Sequence, residues 1–220
     1  MRNRWLAPLL IIAMYAFGIA AWPWLPDRID SHWGPSGEAD DTMSRTWSVI
    51  LLPSITLGLW ALLLVLPRID PKKENYDRFN ATYRLIVNGT VALMALIHFA
   101  VIGNGLGWDM PVVRIIMIAM GLFFAVLGNE MGRIRPNWFA GIRTPWTLAD
   151  DEVWRRTHRV GGRVFVLTGI AIAVLAAFAP PPVILVALLG GTTAMAIGLT
   201  LYSYILWRRR QGESSPAGGR

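Results

Sequence analysis

Three histidines stand where polar chemistry is conceivable in this 220-residue, largely apolar chain. His32 lies in the acidic run PDRIDSHWGPSGEAD (26–40), His98 inside an apolar stretch, and His158 directly after Thr157 among arginines. An imidazole near Glu38 and Asp40 offers a neutral nitrogen beside hard anionic oxygens, the donor set for a divalent metal or a proton shuttle. Gly34-Pro35-Ser36-Gly37 supplies a turn that would fold Asp30 and His32 back toward Glu38 and Asp40. The spacing matches no specific metal motif, so no metal and no cofactor is assigned. The segment reads as an ordered loop with Trp33 at a membrane interface and its charges in water.

Enzyme chemistry finds little footing. There is no cysteine, hence no thiolate nucleophile, redox centre or disulfide. Neither a G-x-S-x-G elbow nor an H-E-x-x-H zinc motif occurs. Thr157 and His158 are neighbours on a helix, where successive side chains diverge by about 100°. The expectation is a protein that is not an enzyme.

His98 and Asn88 fall within an apolar segment, where a polar side chain must face a bundle interior or a wet cavity. An interhelical hydrogen bond is the simpler reading for both. The alternative is a small-solute or proton transporter or channel, with His98, Asn88 and the acidic loop along its path. The apolar segments lack charges near their centres and show no inverted repeat, which speaks against it.

The elements that must position these residues are membrane helices. Hydrophobic residues make up 54% of the chain and charged ones 16%, and there are eleven tryptophans. A bilayer core about 30 Å thick needs roughly 20 apolar residues at helical rise. Six such runs occur, near 5–25, 47–66, 83–103, 111–128, 164–179 and 183–207. The expected fold is all-α, a polytopic bundle of six transmembrane helices with a short cytoplasmic interfacial helix. It forms one domain over 1–210, with an outer loop at 26–46, a cytoplasmic loop at 129–162 and a disordered tail at 211–220. Trp22-Pro23-Trp24 reads as an aromatic anchor that ends a retained first span, rather than the end of a cleaved leader. Gly190, Ala194 and Gly198 form a small-residue stripe, for which packing inside the monomer is the default and a homo-oligomer the alternative.

Cytoplasmic loops retain lysine and arginine. Every such residue except Arg28, Arg45 and Arg114 falls on the side of the chain termini, so both termini are expected in the cytoplasm. Arg114, at the outer start of the fourth span, is expected to snorkel toward water. Topology and attraction to anionic headgroups account for the formal charge of +7, leaving no reason to invoke nucleic acid.

The most specialised stretch is 128–163, which holds seven arginines and GIRTPWTL at 141–148. Pro145 pushes Thr144 out of the α region, so no helix runs through that point. Thr147 is expected to cap the next helix with Asp150 three residues on. Asp150, Asp151 and Glu152 suit its positive end and Arg155, Arg156 and Arg159 its negative end. Val153, Thr157 and Val160 share one face, which suits a short helix lying on the membrane surface until Gly161-Gly162 breaks it. Trp138, Trp146 and Trp154 could be plain interfacial anchors. Anchoring, however, does not require Asn137, Gly141, Thr144, Pro145 and His158 at set places between them.

The run GNEMGRIRPNWFAGIRTPWTLADDEVWRRTHRVGGRVFV (128–166) resembles the signature of the SdpI family of bacterial multipass membrane proteins. The matching positions are Asn129, Asn137, Gly141, Arg143, Thr144, Pro145, Trp146, Thr147, Trp154, Thr157 and His158. The outer-loop run containing His32, Trp33, Gly37, Glu38 and Asp40 is similar to a pattern often joined to it, with Asp30 where proline is expected. Together the two motifs cover about a quarter of the chain. The resemblance implies a cytoplasmic-membrane protein giving immunity to a secreted, membrane-active peptide toxin. For some members it also implies capture of a cytosolic repressor. The partners to expect are thus the lipid bilayer, a peptide toxin and a repressor protein, with 137–158 as the partner-binding face.

Overall fold

In the computed structural model, which describes residues 4–214, six helices are long and apolar enough to cross a membrane. They are α1 (Leu6–Ala21), α2 (Arg45–Ile69), α3 (Asn80–Gly105), α4 (Val112–Met131), α6 (Asp151–Phe178) and α7 (Pro181–Ser214). A five-residue helix, α5 (Pro145–Ala149), precedes α6, and 3-10 turns cover Trp22–Trp24 and Lys73–Phe79. The fold is the expected all-α polytopic bundle. Apolar side chains such as Leu9, Ile12, Leu62, Leu122, Leu167 and Val186 stay exposed on its flanks, as a lipid-facing surface requires.

One end of the bundle carries a feature absent from the sequence reading. The segment at 26–46 is an antiparallel hairpin of β1 (Arg28–Trp33) and β2 (Ala39–Ser44), in a register pairing Arg28 with Ser44 and Asp30 with Thr42. Its turn is the expected Gly34-to-Gly37 one: the Gly37 amide donates to the Gly34 carbonyl at 2.9 Å, and Gly37 has φ +84°. Arg45 clamps the base. It donates to Asp27 Oδ1 at 2.6 Å and to the Leu25 carbonyl at 3.1 Å, and its guanidinium lies over the Trp22 ring. Asn104 at the end of α3 donates to Asp30 Oδ2 at 3.1 Å, tying the hairpin to the bundle.

The tightest helix pair is α4 against α6. A Cβ added at Gly121 would stand 2.6 Å from the Gly169 carbonyl oxygen, and one at Gly128 would stand 2.5 Å from that of Gly162. The two glycines on each helix are separated by about two turns, so the antiparallel backbones touch at both levels. Where two glycines were expected to break a surface helix, Gly161-Gly162 instead lie buried in one continuous helix. Gly162 supplies room for α4, and that contact favours helix over break. The separate interfacial helix expected from Thr147 onward is therefore the first turns of α6, and the short helix that stands alone is α5.

Three further expectations change. The stripe Gly190, Ala194 and Gly198 is exposed, and a Cβ at Gly190 or Gly198 would meet nothing within 4 Å, so it does not pack inside the monomer. Arg114 does not simply reach for water: it donates to the Ala176 and Ala177 carbonyls at 3.1 and 2.9 Å, capping the C-terminal end of α6. Finally, α7 continues through Gln211 to Ser214, and the rest of the expected disordered tail, 215–220, lies outside the described residues.

The α4–α6 contact gives a direct test. Gly128→Leu and Gly162→Leu are each expected to destabilise the detergent-solubilised protein by about 2 kcal/mol or more, since overpacking a closed contact costs about 1–3 kcal/mol. Gly190→Leu, facing open space, should leave thermal unfolding nearly unchanged.

Candidate functional site

The loop between α4 and α6 folds around the side chain of Asn137, which is fully buried. Asn137 Nδ2 donates to the carbonyls of Arg135 and Ala140 at 2.8 and 3.0 Å, and its Oδ1 accepts the amides of Phe139 and Ala140. One amide side chain thus closes the turn on itself. Tyr76 Oη also reaches Asn137 Oδ1, at 3.3 Å, and donates to Asp70 Oδ2 at 2.9 Å. The same carboxylate oxygen accepts the Trp138 amide, while Asp70 Oδ1 accepts the Lys72 amide. Asn75 adds a bond to the Pro136 carbonyl at 2.8 Å. The segment after α2 therefore braces the loop from a distance of more than sixty positions in sequence.

Farther along, the capping pattern differs from the expected one. Thr144 caps α5: its Oγ1 accepts the Thr147 amide, and Thr147 Oγ1 accepts the Thr144 amide at 2.9 Å. Asp150, expected at the third helical position, is itself the cap of α6 and accepts the Glu152 and Val153 amides. The reason is local: α5 ends after five residues, and Asp150 is extended (φ −142°, ψ 118°), as a residue starting a new helix is. Thr144 Oγ1 also meets Ser203 Oγ of α7 at 2.9 Å, and Arg210 of α7 reaches Asp150 Oδ2 at 2.8 Å.

Trp154 and His158 sit beneath this loop, both about 1% exposed, with rings stacked at 4.1 Å. Trp154 Nε1 donates to the Ile134 carbonyl. His158 accepts the Ile142 amide at Nε2 (3.0 Å), which leaves Nδ1 to donate to the Trp154 carbonyl at 2.9 Å. Gly141 has φ +106°, and a Cβ there would run into the His158 ring. Both facts require glycine. Trp154 packs with Tyr76, Phe79, Tyr83, Met131 and Ile134, so it is a core residue rather than a membrane anchor.

The expected site residues thus divide into two groups. Asn137, Thr144, Thr147, Trp154, Thr157 and His158 are buried, and Thr157 Oγ1 lacks a hydrogen-bond partner among the described residues. Asn129, Gly141, Arg143 and Pro145 are exposed. Trp146 is half-buried against the Tyr204 ring at 5.0 Å. Arg143 folds back to the Trp138 carbonyl at 2.7 Å. The surface that remains consists of Trp138, Arg143, Pro145 and the outward arginines of α6, held by the buried group beneath.

Sequence reasoning missed Asp70, Tyr76, Ser203, Arg210 and Glu130. Glu130 is buried between Thr82, which donates to it at 2.7 Å, and Arg133 at 2.6 Å. An acid followed by proline at 70–71 is an ordinary helix-end signal, and nothing local marks it as a brace.

The remaining polar residues lie elsewhere. His98 on α3 donates from Nε2 to the Met14 carbonyl of α1 at 3.0 Å, an interhelical bond of the kind expected. Asn88 is half-buried on the same helix. At the hairpin, His32 Nδ1 meets Asp40 Oδ1 at 2.5 Å, as the turn predicted, whereas Asp30 pairs across the strands with Thr42.

These features define a class: a polytopic α-helical membrane protein with a buttressed, arginine-rich loop between its fourth and fifth spans. Residues 133–203 match the SdpI/YfhL protein family, and residues 9–57 match DUF1648, a domain of unknown function that includes the hairpin. Over 212 residues, 96% of this chain and 99% of the relative, the sequence is 26% identical to the immunity protein SdpI of Bacillus subtilis (strain 168). The chain thus carries the SdpI/YfhL signature over the loop and the helices that follow it, and resembles an SdpI protein along nearly its whole length. No solved structure matches it.

Two outcomes follow from the loop geometry. His158→Ala strands the Ile142 amide and opens a cavity under Trp154, so it is expected to cost about 2–4 kcal/mol in denaturant titration, against about 0.5 or less for exposed Arg159→Ala. For Asp150, burial pushes the carboxyl up, but Arg210 and the Val153 and Glu152 amides outweigh it and hold it below the usual carboxylate range. A depressed folded-state pKa gives stability that is complete above the ordinary Asp value and lost as pH falls below it. The stability difference between parent and Asp150→Asn should accordingly shrink in acid.

Proposed function

We propose that this protein protects its cell against a secreted, membrane-active peptide toxin and reports the encounter by holding a cytosolic repressor on the loop between α4 and α6. The carrying observation is the loop itself, where a buried, hydrogen-bonded scaffold presents Trp138, Arg143 and Pro145 in a set arrangement. Preorganised aromatic and arginine side chains are the types that dominate binding interfaces, because they bury much surface for little lost freedom. The match of residues 133–203 to the SdpI/YfhL family and the immunity function in the name of the Bacillus subtilis relative support the same reading. The role is one of binding, not catalysis.

The reading sets the loop and both termini in the cytoplasm and the hairpin outside, from the lysine and arginine distribution. The chain has no cysteine, which makes this simple to check. In intact cells a membrane-impermeant maleimide should label Glu38→Cys and spare Arg135→Cys, and the reverse pattern overturns the orientation.

Function is tested by challenge. In a toxin-sensitive host exposed to membrane-active peptides, Arg143→Ala and Trp146→Ala should each abolish protection while the protein still reaches the membrane at the parent's level. Arg143→Ala is the cleaner of the two, since Trp146 also packs on Tyr204. Parental protection by both variants removes this face from the function.

A further inference from the structure

At the opposite end of the bundle, beneath the hairpin, lies a cavity of about 610 Å³. Leu51 of α2, Ile97 of α3, Ile116 of α4 and Leu185 of α7 wall it, and Trp33 and Met43 of the hairpin roof it. Its size is in the range of small-ligand sites, roughly 300–1,000 Å³, and its lining is largely apolar. The roof is held in place at three points: Arg45 at the strand base, Asn104 on Asp30, and Gly37 at the tip, packed so closely on Pro181 of α7 that an added Cβ would stand 2.7 Å from that ring.

The charge around this cavity selects among apolar occupants. The hairpin segment 26–46 carries five carboxylates against two guanidiniums. Arg45 is taken up by Asp27, and Arg28 bonds Thr42, while Glu38, Asp40 and Asp41 are exposed near the turn. His32, whose side chain lies along the cavity, holds Asp40 at 2.5 Å. An anionic phospholipid would bring its phosphate to this acidic rim and be repelled, whereas a peptide with an apolar segment and cationic groups finds complementary charge.

We propose that the cavity under the hairpin receives the apolar side chains of a cationic secreted peptide, with the peptide's positive groups against Glu38, Asp40 and Asp41. The assignment rests on the immunity reading and names the part of the molecule that meets the toxin. Apolar burial supplies affinity, and the acidic rim supplies orientation and rejects anionic chains. The two ends of the bundle then divide the work, one meeting the peptide and the other the cytosolic partner.

The full-length protein in phosphatidylcholine nanodiscs is titrated with a dansyl-labelled leucine-rich peptide ending in lysines, and with its counterpart ending in glutamates. Saturable binding of the lysine-ended probe alone is expected. It should weaken roughly tenfold or more both in Ile97→Trp, which fills the cavity, and in the surface double variant Glu38→Lys/Asp41→Lys. Parental affinity in either variant overturns the proposal, as does equal binding of the glutamate-ended probe. Displacement of the probe by phosphatidylglycerol at low mole fraction would mark a lipid site and overturn it too. Cell challenge with the same variants separates the two ideas: a parent that binds the probe but protects no cells leaves the cavity standing and sinks the immunity reading. Full protection by Ile97→Trp sinks the cavity.

Discussion

The backbone contact between α4 and α6 is the constraint on which the rest of this structure depends. Without side chains at Gly121, Gly128, Gly162 and Gly169 the two helices approach until carbonyl oxygens occupy the space a methyl group would need. Inside lipid there is no hydrophobic drive for helices to associate, so such close van der Waals approach is a principal source of cohesion. It also sets the distance between the last turn of α4 and the first turn of α6. The connecting loop must turn back within that short span, and every polar group it folds inward must find a partner there.

The loop meets that demand with side chains in place of secondary structure. Asn137 bonds its own turn through both ends of its amide, Asp70 anchors Tyr76 and Trp138, and His158 holds the Ile142 amide. Buried polar groups are costly when orphaned and rigidifying when satisfied, so a network of this kind favours one loop conformation over many. Residues that resemble a recognition motif are for the most part this internal framework. The exposed remainder is small, and the framework is what gives it a defined shape.

The hairpin end follows a different logic. There a two-stranded sheet, too small to be stable alone, is fastened by an arginine clamp, an asparagine bridge and a glycine-proline contact to three different helices. It covers an apolar cavity and turns its acids outward. The arginine-rich end and the acid-rich end therefore differ in chemistry as well as in architecture.

From the sequence alone the six spans, the turn at Gly34 to Gly37 and the resemblance to the SdpI family were legible, because each is written in local composition, periodicity or motif. The boundaries fared less well at the capped loop, where Thr147 and Asp150 were placed one element out of step. A capping threonine followed three residues on by a partner occurs twice in close succession there, and only the extended backbone at Asp150 shows where one helix stops. What the tertiary structure alone decided was which glycines mattered and which polar residues faced inward. Gly161-Gly162 reads locally as a break, yet the opposing α4 backbone makes it a contact; Gly190 and Gly198 read as a contact, yet face open space. Asp70 and Tyr76 carry no local mark as braces because the loop groups they hold, at Asn137 and Trp138, are sixty or more positions away. Local physics sets what a segment prefers, while burial and partners are properties of the whole packed chain.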